Sequence, residues 1–327
     1  MNDTSVNPVL QLTAVPPGLP LPASVSAAGD RASYRFLEFF TARIRNPHTR
    51  RSYGRAVGDF CAWLEARGLR DVTQVNSFIV AAWVEHMQQE HPAPTVKQRL
   101  AAVRMMFDWL ATGGVMPFNP ATAVRGPRHS VKTGKTPVLA PEEARQLLDS
   151  IDVTTPIGLR DRALIGLMVY SFGRIGAALA MRVEDVFTQQ RRLWVRLQEK
   201  GGKEHIMPCH HNLEEYLHAY IDGCDLAGDP QGPLFRTLGR ATRQLTRTPL
   251  PQANAWAMIQ RRAARSAIET KIGNHTFRAT GITAYLKNGG TLERAAVMAN
   301  HASTRTTQLY DRRSDEISLD EIERVLI

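Results

Sequence analysis

Residues 275–310 read HTFRATGITAYLKNGGTLERAAVMANHASTRTTQLY, and this stretch decides how the rest of the chain is interpreted. His275 and Arg278 stand one helical turn apart, which places them on the same face of a helix. A second imidazole, His301, follows after a Gly-Gly break, and Tyr310 lies nine residues further on. Arginines neutralise phosphate oxygens, histidines move protons and a tyrosine hydroxyl can attack phosphorus. The ordered set therefore predicts chemistry at a phosphodiester.

The same stretch resembles the C-terminal signature of the tyrosine recombinases, the family of phage integrases, Xer recombinases and Cre. The family pattern is His-x-x-Arg, then Gly-His, then a nucleophilic tyrosine. His275, Arg278, His301 and Tyr310 occupy these positions, with Asn300 where the family usually has glycine. Each part alone is weak, because a lone His-x-x-Arg pair is common and a tyrosine near a C-terminus is usually a half-buried packing residue. Their order and spacing make the resemblance specific.

Composition bounds the class of protein. With 327 residues and 43% hydrophobic content, the chain is long enough for two domains with hydrophobic cores. No apolar run approaches the roughly 20 residues that a membrane span needs. The N-terminus has no basic segment followed by an apolar block, so no secretory signal is expected. Three scattered cysteines argue against a disulfide framework and favour the reducing cytoplasm, where the chain would associate with the nucleoid.

The net charge of +10 predicts a polyanionic partner. The excess is concentrated, because residues 31–138 hold 16 Lys and Arg against 7 Asp and Glu, whereas residues 139–327 hold 25 against 22. A basic surface can simply keep a protein soluble. Its concentration in one segment favours nucleic acid as the partner, and the resemblance implies double-stranded DNA.

The N-terminal part is predicted to be helical. Residues 1–30 contain prolines and small polar residues without an apolar period, which predicts a disordered arm. Over residues 31–124, apolar residues recur at helical spacing in four segments, so a small four-helix domain is expected. The resemblance implies that this is the core-binding, SAM-like domain, in which Thr49 and Tyr53 begin a DNA-contacting helix. Solvated charge is the usual role of surface arginines and lysines, but those near the helix starts are also candidate phosphate contacts: Arg50, Arg51, Arg55, Lys97, Arg99 and Arg104.

A proline-, glycine- and base-rich stretch over residues 125–138 predicts an interdomain linker. Residues 139–327 then form the predicted catalytic domain, in which an apolar, buried helix ends at Gly173 and Arg174. An arginine there is costly without an anionic partner, and the resemblance makes Arg174 the first catalytic arginine. The family usually carries a supporting acid where this chain has Ala177, so another group must orient Arg174.

Residues 183–210 alternate apolar and polar side chains around a charged Gly-Gly turn, which predicts a β-hairpin. A charged turn normally just stays in water. The resemblance implies instead that the hairpin delivers a lysine beside the scissile phosphate. Lys200 matches that position better than Lys203, which is a candidate DNA contact.

Two neighbouring stretches carry no predicted chemistry. Cys209, His210, His211 and His205 fit no tetrahedral Cys/His pattern, so no metal site is expected. Residues 228–250 are interpreted as a loop-rich basic stretch that either touches DNA or is only solvated.

Together these patterns predict a mainly α fold with a small β-sheet or hairpin in the catalytic domain, arranged as a two-domain DNA clamp. The resemblance implies a site-specific recombinase of a mobile element, plasmid or phage that needs no metal or nucleotide cofactor. Tyr310 would form a 3′-phosphotyrosyl link. Two alternatives stay open, a type IB topoisomerase and a non-catalytic DNA-binding regulator, the latter favoured only by Ala177. The implied catalytic residues are Arg174, Lys200, His275, Arg278, His301 and Tyr310.

The tail over residues 311–327 carries Leu319, Ile322 and Leu326 at helical spacing, which predicts a short amphipathic helix. This helix either packs on its own domain or, as the resemblance implies, docks in a groove of a neighbouring protomer within a tetramer on paired sites. Accessory DNA-bending or directionality proteins are left open.

Overall fold

The computed structural model shows a mainly helical protein with small antiparallel sheets, as the sequence predicted. The chain divides into two compact units, residues 1–130 and residues 131–327. Within the described residues, no helix combines the length and apolarity needed to cross a membrane. Lys200 and the tail helix predicted within residues 311–327 fall outside the described part of the chain. The structure describes residues 21–131, 134–199 and 202–312.

The N-terminal unit is a helical bundle with an aromatic core. Phe60 packs edge-on against Trp83 and Phe107, so one ring joins three helices. Side-chain caps set two of the helix starts, because Asn46 and Asn76 each accept backbone N–H bonds from the first turn that follows them. The helices are α1 (Ala23–Ser26), α2 (Asp30–Glu38, continued by a π-helical turn at Phe39–Arg43), α3 (Pro47–Glu65), α4 (Ser77–Glu90) and α5 (Ala93–Thr112).

The described end of residues 1–30 departs from the expected disordered arm. α1 forms a helical turn there, and its Val25 is fully buried in the core of the unit. The backbone N–H of Ser24 donates to Glu65 Oε1 at 2.9 Å, which ties the turn to α3. Apolar packing on the core and a hydrogen bond to a distant helix order this turn, and local composition reveals neither.

The C-terminal unit packs helices around a three-stranded antiparallel sheet in the order β1-β2-β3, with a separate β4–β5 hairpin. The predicted hairpin is β2 and β3, in the register Glu199 opposite Lys203. The elements are α6 (Pro141–Asp149), α7 (Pro156–Tyr170), α8 (Ile175–Ala180), β1 (Val186–Gln189), β2 (Arg192–Glu199), β3 (Lys203–Pro208), α9 (His211–Gly223), β4 (Arg236–Leu238), β5 (Leu245–Pro249), α10 (Gln252–Arg265), α11 (Asn274–Lys287), α12 (Leu292–Met298) and α13 (Thr304–Gln308).

Within the loop-rich stretch of residues 228–250, the structure also forms the strands β4 and β5, which the sequence did not predict. Both strands are short and rich in Arg and Thr, and they therefore lack the apolar alternation that marks a half-buried strand. Arg236 is buried rather than solvated, because its Nη2 donates to Asp229 Oδ2 at 2.9 Å and its Nε donates to the Pro233 carbonyl at 2.8 Å. Arg236 stabilises the fold from within.

A buried charge network fixes α7 against α10. Asp161 is 1% exposed and accepts from Arg160 Nη2 at 2.6 Å and from Arg262 Nη2 at 2.8 Å. Paired in this way, the three charges are tolerated in the interior. α7 leads directly into the turn that carries Arg174, so the network fixes the helix from which that arginine is presented.

Candidate active site

Arg278 lies on α11 and is 1% exposed. Its guanidinium donates to the carbonyls of Phe172 and Ala299, and its Nη2 lies 2.7 Å from His301 Nε2. Burial and, next, the positive charge of Arg174 lower the pKa of Arg278 to about 10, which leaves it charged at neutral pH. Phe172 adopts a left-handed φ of 53°, which costs about 1–3 kcal/mol in a residue other than glycine. The bond from Arg278 helps to stabilise that turn.

His301 lies between Arg278 and Thr307. An arginine can only donate, so His301 Nε2 accepts from Arg278. The proton of the neutral ring is therefore on Nδ1, which donates to Thr307 Oγ1 at 2.8 Å. Burial lowers the pKa of His301 to about 4, and the charges of Arg278 and Arg174 contribute to the shift. His301 is thus neutral at physiological pH, with its tautomer set by two neighbours.

Tyr310 follows α13 and lies over the same site. Its ring stacks on His301 with centroids 5.8 Å apart and planes at 10°. Its backbone carbonyl accepts from Thr283 Oγ1 at 2.8 Å, and its N–H donates to the Thr307 carbonyl at 2.8 Å. Arg278 also donates a hydrogen bond to the Tyr310 side chain. The tyrosine is therefore held by its backbone as well as by its ring.

Asn300 accounts for one departure from the family pattern. It has a φ of 46°, in the left-handed region, directly before His301. Glycine adopts this conformation most readily, and asparagine tolerates it better than most other residues. Asn300 therefore keeps the turn that a glycine would make, and His301 keeps its place.

Arg174 lies at the N-terminus of α8, and its guanidinium is paired with a carboxylate that comes from the sheet. Its Nη1 donates to Glu199 Oε2, and the two side chains are 34% and 3% exposed. Glu199 is the last residue of β2, directly before Lys200. This carboxylate supplies the support for Arg174 that Ala177 cannot give.

His275 shares α11 with Arg278, as the spacing predicted, but the two residues differ in burial. His275 is exposed at the rim of the site, whereas Arg278 is buried. Partial loss of hydration lowers the pKa of His275, and the charges of Arg278 and Arg174 lower it further. The structure therefore brings together Arg174, His275, Arg278, His301 and Tyr310.

The arginines and the lysine among the candidate DNA contacts on α3 and α5 divide into two groups. Arg50 donates to the Ile44 carbonyl, Arg99 pairs with Asp59 at 2.6 Å, and Arg104 donates to the carbonyls of Ala121 and Val124; these three have roles within the fold. Thr49 and Tyr53 are half-buried, and Lys203 is exposed at the start of β3. The second group, called the basic ridge here, is exposed on adjacent helices: Arg51, Arg55 and Lys97.

Two residues of the site were missed from the sequence. Glu199 continues the inward-facing series Leu193, Val195 and Leu197 on β2, so a carboxylate at a buried strand position was a detectable sign of an ion pair. Thr307 is completely buried and binds His301. Nothing in its local sequence distinguishes it from the neighbouring Thr306.

The predicted linker contacts the segment that carries the tyrosine. The Gly134 N–H donates to the Leu309 carbonyl at 2.9 Å, and Arg312 Nη2 donates to the carbonyls of Gly134 and Thr136. A Cβ at residue 134 would lie 2.3 Å from the Leu309 oxygen, so only glycine fits this approach. These contacts, called the linker clasp here, lie on both sides of Tyr310.

No group of three or more His, Cys, Asp or Glu residues within the described ranges is arranged to hold a metal ion. The chemistry available at the site is that of two guanidiniums, two neutral imidazoles, one carboxylate and one phenol.

This fold and this constellation define a tyrosine recombinase. Residues 137–316 match the phage integrase family, and residues 34–114 match the N-terminal SAM-like domain of phage integrases. The chain therefore belongs to the phage integrase family.

Curated relatives and solved structures agree with this assignment. The tyrosine recombinase XerD of Corynebacterium glutamicum is 28% identical over 278 residues, covering 80% of this chain and 86% of its own. The tyrosine recombinase XerC of Xanthomonas campestris pv. campestris is 28% identical over 296 residues, covering 88% and 87%.

Two solved structures share the fold at low sequence identity. A lambda integrase(75–356) dimer bound to a COC′ core site has a TM-score of 0.65 at 17% identity, covering 87% of this chain and 95% of that one. The post-cleavage complex of XerH with a palindromic difH substrate has a TM-score of 0.67 at 16% identity, covering 92% and 85%.

Proposed function

We propose that this protein is a site-specific DNA recombinase that cuts and rejoins DNA through a 3′-phosphotyrosyl intermediate, in the service of a mobile element, plasmid or phage. The observation that carries the proposal is the position of Tyr310. Its ring stacks on His301, which is hydrogen-bonded to Arg278, and Arg174 is close enough to act electrostatically on both. A nucleophile, two cations and two proton carriers thus converge on a space that a phosphate would enter.

The arginines would stabilise the transition state. Attack by Tyr310 places additional negative charge on the non-bridging oxygens, and guanidinium groups bind such oxygens in bidentate geometry. Arg278 is already held in place by backbone carbonyls, and Arg174 is held by Glu199. Both cations therefore need little reorganisation when the phosphate arrives.

Proton transfer would involve the histidines and Lys200. Attack through a tyrosine hydroxyl releases a proton, so Tyr310 needs a base. His275 is accessible, and its lowered pKa keeps it neutral and able to accept that proton. Lys200 would protonate the leaving 5′-oxygen. The negative charge of the incoming phosphate favours the protonated imidazole, so His301 would release Arg278, take up a proton from solvent at Nε2 and donate from there to the phosphate.

The proposed reaction draws only on side chains. The arginines supply the positive charge that a metal supplies in other phosphoryl-transfer enzymes. The phosphotyrosyl bond conserves the energy of the phosphodiester for religation, so no nucleotide is needed.

We propose double-stranded DNA and further copies of this chain as partners. The similar lambda integrase structure is a dimer bound to a core site, and another lambda integrase structure of this fold is a tetramer bound to a Holliday junction. The exposed basic ridge would contact phosphates, and a tetramer would hold two paired sites. The protein would then act in the cytoplasm, on nucleoid DNA.

The apolar tail would join neighbouring protomers. The C-terminal unit has an apolar groove of about 750 Å³ between α6, α7 and α11, lined by Leu147, Val169 and Phe277 among others. This groove is suited to the predicted tail helix of an adjacent copy. Truncation after Ser314 should leave single-site binding intact and abolish four-protomer complexes in light scattering with DNA. A truncated protein that still assembles would show that the tail is not exchanged.

The non-catalytic alternative loses its one supporting feature. Ala177 favoured a regulator because it left Arg174 without an acid, and Glu199 supplies that acid. A type IB topoisomerase would relax any supercoiled plasmid, whereas a site-specific recombinase would exchange strands only between two copies of its site.

The decisive experiment traps the covalent intermediate. The protein is incubated with a pool of random-sequence duplexes carrying a nick, so that the short cleaved strand diffuses away and religation fails. DNA that stays attached after denaturation is sequenced, and the attachment residue is mapped by mass spectrometry. We expect attachment at Tyr310.

Two variants control this experiment. Tyr310→Phe should bind DNA but form no adduct, because binding depends on phosphate contacts spread over the protein. Tyr285→Phe, at a half-buried tyrosine on α11, should react like the wild type. An adduct from Tyr310→Phe, or no adduct from the wild type, would refute the proposal.

A further inference from the structure

We infer that Glu199 is the positioning residue for Arg174, taking the place of the acid that the family usually carries where this chain has Ala177. This inference rests on the proposed function. The supporting group has moved from the helix that follows Arg174 to the end of a β-strand that is distant in sequence.

The strand pattern shows why a carboxylate at residue 199 must be paired. Leu193, Val195 and Leu197 occupy the buried positions of β2, and Glu199 takes the next inward position. A carboxylate in such surroundings needs a cation within hydrogen-bond distance. Arg174 provides it, in a contact that joins the end of β2 to the start of α8.

The pairing determines which part of Arg174 can meet a substrate. A guanidinium is planar and rigid, so holding one terminal nitrogen restricts the orientation of the whole group. Glu199 engages Nη1 from the buried side, while the Arg174 side chain remains 34% exposed. The remaining donors are therefore presented on the accessible side of the site.

Glu199 also balances the charge of the site. Beyond the effect of burial, Arg174 lowers the pKa of Arg278, whereas Glu199 raises it, so the carboxylate acts on both arginines. Two guanidiniums and one carboxylate leave a single net positive charge, equal and opposite to that of a phosphodiester. Because Lys200 directly follows Glu199 in the sequence, the same ion pair holds the residue that precedes the proposed catalytic lysine.

The test compares Glu199→Gln with Glu204→Gln, which neutralises an exposed carboxylate on β3. The substrate is the nicked duplex recovered by trapping with the wild type. We expect Glu199→Gln to slow adduct formation about 100-fold at saturating DNA, because a misoriented group costs rate rather than affinity. DNA affinity should be unchanged, and Glu204→Gln should react at the wild-type rate. A wild-type rate for Glu199→Gln would overturn the inference.

A double-mutant cycle separates positioning from a general structural role. Once Arg174 is alanine, Glu199→Gln should cause no further loss of rate, because Glu199 would act only through Arg174. Losses that multiply in the double variant would overturn the inference.

Urea unfolding of the same four proteins without DNA tests the ion pair independently of reactivity. Arg174→Ala should be more destabilising than Arg174→Ala with Glu199→Gln, since the single change leaves a buried carboxylate unpaired. The absence of such coupling would overturn the inference and leave the proposed function standing. A wild-type protein that forms no adduct would instead refute the function itself.

Discussion

Thr307 Oγ1 lies 2.8 Å from Nδ1 of His301 and accepts from the N–H there, because Arg278 donates to Nε2 and so confines the proton to Nδ1. Thr307 is fully buried on α13, three residues before Tyr310. The short helix that precedes the tyrosine therefore also supplies the acceptor for the N–H of the histidine on which the tyrosine stacks.

Replacing Thr307 with valine should destabilise this arrangement of His301. The change keeps the shape and removes the acceptor, leaving a buried N–H without a partner at a cost of about 1–3 kcal/mol. Nitrogen-15 NMR of labelled histidines should then show a shifted Nδ1 resonance for His301, because that N–H has lost its acceptor, and adduct formation should slow. Thr307→Ser retains the hydroxyl and should behave like the wild type. An unchanged His301 spectrum in Thr307→Val would contradict this account.

Stability should fall in mild acid because of His301. Its pKa is about 4 in the folded protein against an ordinary value of 6.5, so the unfolded chain binds more protons between these values. The contribution of neutral His301 to the free energy of unfolding is complete above pH 6.5 and is lost as the pH falls toward 4. Urea unfolding from pH 4.5 to 7.5 should give a shallower dependence for His301→Asn. His218→Asn, at an exposed histidine on α9, should keep the wild-type slope.

Residue 300 should tolerate glycine and reject β-branched side chains. Asn300→Gly keeps a residue that adopts the left-handed conformation freely, so thermal stability and adduct formation should be close to wild type. Asn300→Val should cost about 1–2 kcal/mol and displace His301. Equal stability of the two variants would mean that the backbone conformation at residue 300 is not required.

The linker clasp should be needed for cleavage but not for binding. Gly134→Ala places a methyl group 2.3 Å from the Leu309 oxygen, so the clasp beside Tyr310 must open. Adduct formation should fall by about 10-fold or more, with little change in DNA affinity. Gly126→Ala is the matched control, because its Cβ would meet Leu100 Cδ2 at 3.4 Å, an ordinary contact. Equal rates for the two variants would show that the clasp does not position the tyrosine.

The basic residues of α3 and α5 should separate into two classes. Alanine at Arg51, Arg55 or Lys97 should each reduce the slope of log affinity against log salt by about 0.9, the value for one phosphate contact on duplex DNA. Arg104→Ala should leave that slope unchanged and lower stability by about 1–3 kcal/mol, since carbonyls of Ala121 and Val124 lose their donor. Fluorescence anisotropy across a salt series and urea unfolding measure the two effects. A reduced slope for Arg104→Ala would reverse its assignment.

The sequence by itself determined the helical bundle, the β2–β3 hairpin and the identity of the candidate groups. Apolar periodicity is a local property and can be read from the sequence. The spacing of the candidate groups can also be read there, because consecutive short elements carry His275, Arg278, His301 and Tyr310. The β4–β5 hairpin was missed because its strands are held by hydrogen bonds and by buried Arg236, without an apolar alternation.

Only the tertiary structure decided which side chains support the candidate groups. Glu199 pairs with Arg174, which lies 25 residues earlier in the chain. The Gly134 N–H donates to the Leu309 carbonyl, although Gly134 lies near the beginning of the C-terminal unit in sequence and Leu309 lies near its end. Such contacts depend on how separate elements pack, so no local pattern encodes them. The tautomer of His301 has the same origin, because it requires Arg278 on one side and buried Thr307 on the other. Residue types and their spacing identify the candidate catalytic groups, whereas the packing of separate elements orients the side chains of those groups.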